Sequence, residues 1–187
     1  MQYFGGVDIS FDDKVENRAV ASLVICDRSM NVIYEDYQEV FLTVPYIPGF
    51  LAFREAPHLM DLINRIEGPR PQVILVDGNG ILHTRGFGLA SHLGVLSGIP
   101  TIGVGKKVFD VDGICKDKAR SLSDTLTKGG EAAELVGDSG RIWGAVYKAK
   151  DNVKQPIIIS IGHMISLSTA LDVLRLCTIY KNPEPVR

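Results

Sequence analysis

Val73-Ile74-Leu75-Val76-Asp77, followed at once by Gly78-Asn79-Gly80, is an unbroken apolar run closed by an aspartate and a glycine-rich loop. No polar residue alternates within the run, so it reads as a strand buried on both faces. Thr101 to Val104 is a second such run, and the residues from Gly88 to Ser97 between the two are a helical candidate. Together they form a β-α-β unit with buried parallel strands, which already places the chain in the α/β class.

Upstream, Phe4 to Ser10, Ala19 to Cys26 and Val32 to Val44 are β-rich and separated by the short polar turns Asp12 to Asn17 and Asp27 to Asn31. They read as an antiparallel three-stranded meander that Pro45 and Pro48 end. Leu59, Leu62, Ile63 and Ile66 then recur at helical spacing, which predicts an amphipathic helix from Ala52 to Glu67, stopping before Gly68-Pro69. Downstream, Val111 to Gly140 reads as a polar loop with a short helix at Ala119 to Leu126, and Ile142 to Tyr147 and Ile157 to Ile161 as two further strands. Ser166 can cap a last helix carrying Leu167, Ala170, Leu171 and Leu174. Three antiparallel strands, a helix, then parallel strands with helices is the element order of a ribonuclease H-like fold, a mixed central sheet flanked by helices.

With 187 residues, 45% of them hydrophobic and 22% charged, the chain is expected to form one globular domain over residues 1–187, neither disordered nor fibrous. The net charge of -2 argues against a nucleic-acid binder that works through an overall basic field. The sum hides an asymmetry, since residues 1–100 hold 7 basic and 12 acidic groups and residues 101–187 hold 13 and 10. Apolar runs such as Ile157 to Ile161 fall far short of the ~20 residues a bilayer needs. Asp8, Asp12 and Asp13 occupy the place of a signal peptide's apolar stretch, so a soluble, unsecreted chain is expected. Cys26, Cys115 and Cys177 show no CxxC spacing and an odd count, which fits a reducing compartment; Cys26 and Cys177 sit in apolar runs and read as packing.

Three carboxylates stand out. Asp8 interrupts an apolar strand, Asp77 ends VILV, and Glu55 lies in the first turn of the predicted helix. Singly, an aspartate at a strand end is a turn-maker or cap, and an acid in a first helical turn complements the dipole. Jointly they mean more. If the first strand lies beside the first parallel strand, Asp8 and Asp77 become neighbours and the helix bearing Glu55 crosses beside them. Such a cluster is unfavourable without a divalent cation, and an all-oxygen set suits Mg²⁺ or Mn²⁺. The matching reaction is metal-assisted phosphodiester hydrolysis.

His163 and His83 are read as lying in strand-to-helix loops, where His163 could orient or deprotonate a water or simply hydrogen-bond loop backbone. His58 and His92 read as packing or surface residues. In the loop from Asp77 to Gly88, Arg85 or His83 could meet phosphate, and Lys106, directly after a strand, could do the same. Tyr46, held between Pro45 and Ile47-Pro48-Gly49, could act as a rigid wedge where a base is pulled from its stack, or could cover the core.

Five segments in order make the chain similar to the endonuclease V family, which cuts nucleic acid near inosine or deoxyinosine: GGVDISF (5–11), PYIPGFLAFRE (45–55), LVDGNGILHTRGFGLASHLGV (75–95), IPTIGVGKK (99–107) and SIGHMISLSTAL (160–171). The resemblance implies that Asp8, Glu55 and Asp77 bind metal, with His163 near a second metal position, and that Lys106 and His83 are further active-site groups. It makes Pro45, Tyr46, Ile47 and Pro48 the wedge, and Gly49, Leu51, Gly78 and Ile81 part of a pocket for flipped hypoxanthine. The implied reaction is hydrolysis of the second phosphodiester bond 3′ to inosine, with Mg²⁺ as cofactor and Mn²⁺ as substitute, leaving a 3′-hydroxyl and a 5′-phosphate. The chain begins seven residues before Asp8, where family members commonly carry a leading segment, so a short or trimmed form is expected. DGNGxLHxRGFG, LVGDSG and the terminal PEPVR resemble the animal branch. That branch is associated with inosine-containing RNA, which puts single-stranded RNA first as substrate, deoxyinosine DNA second, and a non-cleaving inosine reader third. The resemblance also suggests a monomer in the cytoplasm and/or nucleus. Gly6-Val7-Asp8-Ile9-Ser10 also mimics the first phosphate loop of actin-like and sugar kinases, whose duplicated second domain 187 residues do not hold.

Overall fold

A computed structural model describes residues 1–153 and 155–186; of the PEPVR segment, Arg187 lies outside the described residues. The elements run β1 (Tyr3–Phe11), β2 (Arg18–Asp27), β3 (Val32–Phe41), α1 (Leu51–Asn64), β4 (Val73–Asp77), α2 (Leu89–Ser97), β5 (Thr101–Gly105), α3 (Lys116–Thr125), β6 (Ala132–Val136), β7 (Ile142–Tyr147), β8 (Ile157–His163) and α4 (Leu167–Cys177), with a 3-10 turn at Glu184–Val186. Among the described residues they build one eight-stranded mixed sheet in the order β3-β2-β1-β4-β5-β8-β7-β6. The meander β1 to β3 is antiparallel, β1, β4 and β5 are parallel, and β8, β7 and β6 return antiparallel. The fold is ribonuclease H-like, as the element order implied.

Alternation along the strands divides the core. One face of the sheet, with Leu23, Ile74 and Val76, packs under Leu59 and Leu62 of α1 and Leu93 of α2. The other, with Phe4, Leu75, Ile102 and Ile159, packs under Ala170, Val173 and Leu174 of α4. Cys26 and Cys177 are fully buried, and burial pushes their thiols up to about 11 and about 12, so both remain inert packing residues. Loop 78–80 presses on the sheet where Gly80 N–H donates to Ser160 Oγ at 2.8 Å.

Several boundaries differ from the sequence reading, α3 for one starting at Lys116 rather than Ala119. β3 ends at Phe41 because Leu42 N–H turns to the Asn17 carbonyl and Thr43 N–H to the Phe41 carbonyl, so the β-branched Thr43 and Val44 leave the ladder. α1 ends at Asn64 and accommodates Pro57 on its exposed side. Within the stretch read as polar loop, Ala132–Val136 is an edge strand paired with β7, short and half-exposed, so its pattern is weak. Finally, β8 runs on through His163 and is antiparallel to β5, which matters for the site.

A Cβ at Gly80 would collide with the Ile161 carbonyl. Gly80→Ala is therefore expected to lower stability by ~1–3 kcal/mol, since the backbone it meets cannot move aside cheaply. Urea denaturation with an unchanged m-value checks this.

Candidate active site

The parallel, in-register pairing of β1 and β4 runs from Phe4 opposite Val73 to Val7 opposite Val76, and Asp8 and Asp77 stand one step further on. Glu55, the fifth residue of α1, is buried against the same edge at 5% exposure, which removes the dipole-complement reading of this carboxylate. Burial, then the charges of Asp8 and Asp77, push its carboxyl up to about 7, opposed by Arg54. Asp8 is raised by burial and by Asp77, with Lys106 pulling it down. Lys106, just past β5, donates from Nζ to Asp77 Oδ2 at 2.6 Å, and that hydrogen bond raises its ammonium further. The structure thus brings Asp8, Glu55, Asp77 and Lys106 to one edge.

As they stand, no three His, Cys, Asp or Glu side chains among the described residues are grouped tightly enough to hold a metal ion. The donor chemistry nevertheless fits a hard divalent cation: three carboxylates, no sulfur or imidazole, and burial with mutual repulsion that keeps two of them above their ordinary range. Lys106 supplies the positive charge against Asp77.

His163 does not join them. It pairs with Thr101 at the start of β5, and Thr101 pairs with Ile74, three residues before Asp77. At about 3.3 Å per residue this sets His163 some ~10 Å along the sheet from the carboxylates. There its Cβ lies against Gly94 of α2. The expectation that it serves a second metal position is corrected for a topological reason: β8 is antiparallel to β5, so its end meets the opposite edge of the sheet.

Beside the carboxylates, between the first turn of α1 and the β4–α2 loop, lies a cavity of about 380 Å³. Of the residues expected to meet substrate, Tyr46, Gly49, Leu51, Gly78 and Arg85 line it. Pro45, Ile47 and Pro48 lie in the exposed turn leading to it, whose Phe50 N–H donates to the Ile47 carbonyl at 2.9 Å. Ile81 is not in the wall; its N–H is spent on the Ile161 carbonyl. His83 is in the wall, buried, edge-on to Phe109 at 5.0 Å and accepting Arg85 N–H at Nδ1. Burial and Arg85 lower its pKa, which keeps the imidazole neutral. Arg85 is not held out for phosphate: its guanidinium sits 3.9 Å over the Phe50 ring and reaches the Gly49 carbonyl at 3.4 Å. It latches the 45–49 turn onto the glycine-rich loop, and Gly49, at a positive φ of 79° and without a Cβ, leaves room for it.

The sequence reading missed Phe50, Phe53, Phe87, Phe109 and His92 in this wall. Phe50 and Phe53 were visible as large apolar residues in PYIPGFLAFRE flanking the helix start, and Phe87 as an aromatic among loop glycines.

A sequence profile of the endonuclease V family matches residues 1–187 from end to end. The chain belongs to the endonuclease V family. It is 44% identical over 193 residues to endonuclease V of Mus musculus and spans 57% of that protein's length. The crystal structure of the catalytic domain of human endonuclease V superposes with a TM-score of 0.96 at 44% identity, covering 100% of this chain and 78% of the human one. The Ciona intestinalis endonuclease V, solved with a 23mer DNA containing an inosine followed by a ribo-adenosine, matches at a TM-score of 0.91 and 34% identity over 99% of this chain and 80% of that one. Endonuclease V proteins form a family of metal-dependent nucleases.

Two outcomes follow from the geometry. Glu55 is protonated more readily folded than unfolded, so its contribution favours folding below the ordinary carboxylate value of 4.5 and is lost as pH rises through about 7. Without divalent cations, stability should fall across that window by at most about 3 kcal/mol, and Glu55→Gln should flatten the profile in pH-resolved thermal melts. If the chain is a metal-dependent nuclease as its family is, His163→Ala should leave the cutting rate and its divalent-cation dependence unchanged, as a titration of activity against the cation would read.

Proposed function

We propose that the chain is an endonuclease that hydrolyses the second phosphodiester bond 3′ to inosine, in single-stranded RNA first and in deoxyinosine-containing DNA second. The observation that carries this reading is the meeting of Asp8, Glu55, Asp77 and Lys106 on one sheet edge, directly beside a cavity walled by backbone and aromatic rings. Asp8, Asp77 and Glu55 would hold Mg²⁺, or Mn²⁺ in its place. Such an ion, when bound, polarises a phosphodiester oxygen and lowers the pKa of water. The protein's own groups set the rest. Lys106 places an ammonium where negative charge grows on the phosphate oxygens, and Glu55, buried beside Asp8, presents its carboxyl from the α1 side.

Hypoxanthine lacks the 2-amino group of guanine and the 6-amino group of adenine. Gly49, Leu51 and Gly78 line the cavity, and backbone groups of such a wall, set to pair with N1–H and O6, would match hypoxanthine and leave the amines of guanine and adenine unpaired. Cutting one bond away lets pocket and carboxylates occupy separate ground on either side of the start of α1. The Ciona relative was solved with a ribonucleotide after the inosine, which supports a reading in which a 2′-hydroxyl near the cut is felt. The chain acts as one domain and as a monomer in this proposal, in the cytoplasm and/or nucleus. Among the described residues no helix is long and apolar enough to cross a membrane.

Matched oligonucleotides carrying one inosine in RNA or one deoxyinosine in DNA should both be cut at the second 3′ bond, the RNA faster. Asp77→Ala should lower the rate by ~10²–10³ or more while inosine strands still bind. Undiminished cutting by that variant with Mg²⁺ would falsify the assignment; binding without cutting by the unmodified protein would favour an inosine reader.

A further inference from the structure

We propose that Phe53, Phe87 and His92 form a stacking platform for the nucleobase immediately 5′ to the inosine. This rests on the reading of the site as one that holds a flipped inosine and cuts 3′ to it. Three elements supply the platform: Phe53 from α1, Phe87 from the β4–α2 loop and His92 from α2. The His92 ring joins the other two, edge-on to Phe53 at 5.5 Å and tilted to Phe87 at 5.7 Å. Phe53 is 63% and Phe87 46% exposed, so both rings offer surface to a ligand. A lone exposed phenylalanine needs no explanation, but this cluster continues into Phe50 and Tyr46 around the mouth of one cavity.

The chemistry of the wall selects the occupant. Among the described residues no carboxylate lines the cavity, and Arg85 is its cation, so an anionic strand meets no repulsion there. Aromatic rings at the mouth of a base pocket favour another base, whose π-face stacks regardless of sequence. Helix geometry then sets the polarity. Glu55 faces the carboxylate edge, and Phe53, two residues before it, points about 200° away around the helix. The strand leaving the pocket toward Asp8 and Asp77 runs 3′, because the cut bond lies 3′ to inosine. The opposite flank, where Phe53, Phe87 and His92 stand, therefore receives the 5′ neighbour.

The test uses the unmodified chain and single-stranded RNA with one inosine, together with copies carrying an abasic residue immediately 5′ or immediately 3′ to it, with binding measured in EDTA. The 5′ abasic residue should weaken binding ~10-fold or more. Phe53→Ala and Phe87→Ala should weaken binding of the intact strand by a similar factor, yet bind the 5′-abasic strand as the unmodified protein does. A 2-aminopurine placed 5′ to inosine should be quenched on binding and less so with Phe53→Ala, and Phe53→Trp should restore quenching. Equal affinity of the unmodified protein for intact and 5′-abasic strands overturns the platform, as does a Phe53→Ala defect of the same size on both. If inosine strands are neither bound nor cut, the functional reading falls instead.

Discussion

Parallel, in-register pairing of β1 with β4 forces Asp8 and Asp77 together, and the rest of the site is arranged around that repulsion. The pairing cannot relax by sliding. A one-residue slip of β4 would turn Ile74 and Val76 away from α1 and α2 and send Leu75 into their place, reversing every buried side chain of the strand. The carboxylates therefore stay adjacent, and burying Glu55 against them adds a third negative group in a poorly solvated place. Lys106 at the end of β5 answers one of the three charges. A cation-seeking edge is the consequence of a hydrophobic register, since the core fixes where the acids stand.

The same few residues also separate the carboxylates from the cavity. At its start α1 turns Leu51, Ala52 and Phe53 to the cavity and Glu55 to the carboxylates. The β4–α2 loop does likewise, with Asp77 on the acidic side and Gly78, His83 and Arg85 in the cavity wall. Arg85 ties Gly49 and Phe50 to this loop, so the 45–49 turn and the cavity wall are held together by direct contacts.

Much of this was legible in the residues themselves. VILVD and TIGV declared buried parallel strands because an apolar run without alternation has few other homes, and Asp8 and Asp77 were conspicuous because a charge closing such a run lacks a packing role. His163 was misplaced for the opposite reason. Nothing in IIISIGH states whether the strand runs up or down the sheet, and direction alone decides which edge its end reaches. Local periodicity could not expose the aromatic wall either, since Phe53 and His92 come from different helices and meet only once α1 and α2 are packed on the same face.

The near-neutral total charge acquires a definite meaning from these placements. Lys106 is engaged with Asp77 and Arg85 with Phe50, so two cations at the site are already committed before a strand arrives. Arg54, beside Glu55, keeps a buried Nε without a hydrogen-bond partner and its guanidinium 5.5 Å from the Phe11 ring. Few charges here are free to exchange counterions with a phosphate backbone, and that exchange is what drives sequence-independent affinity. In the proposed reading, binding energy at this site comes mostly from rings and backbone amides, which grip bases rather than phosphates. Selectivity for one modified base is better served by that balance, because contacts that hold every strand equally well discriminate among none.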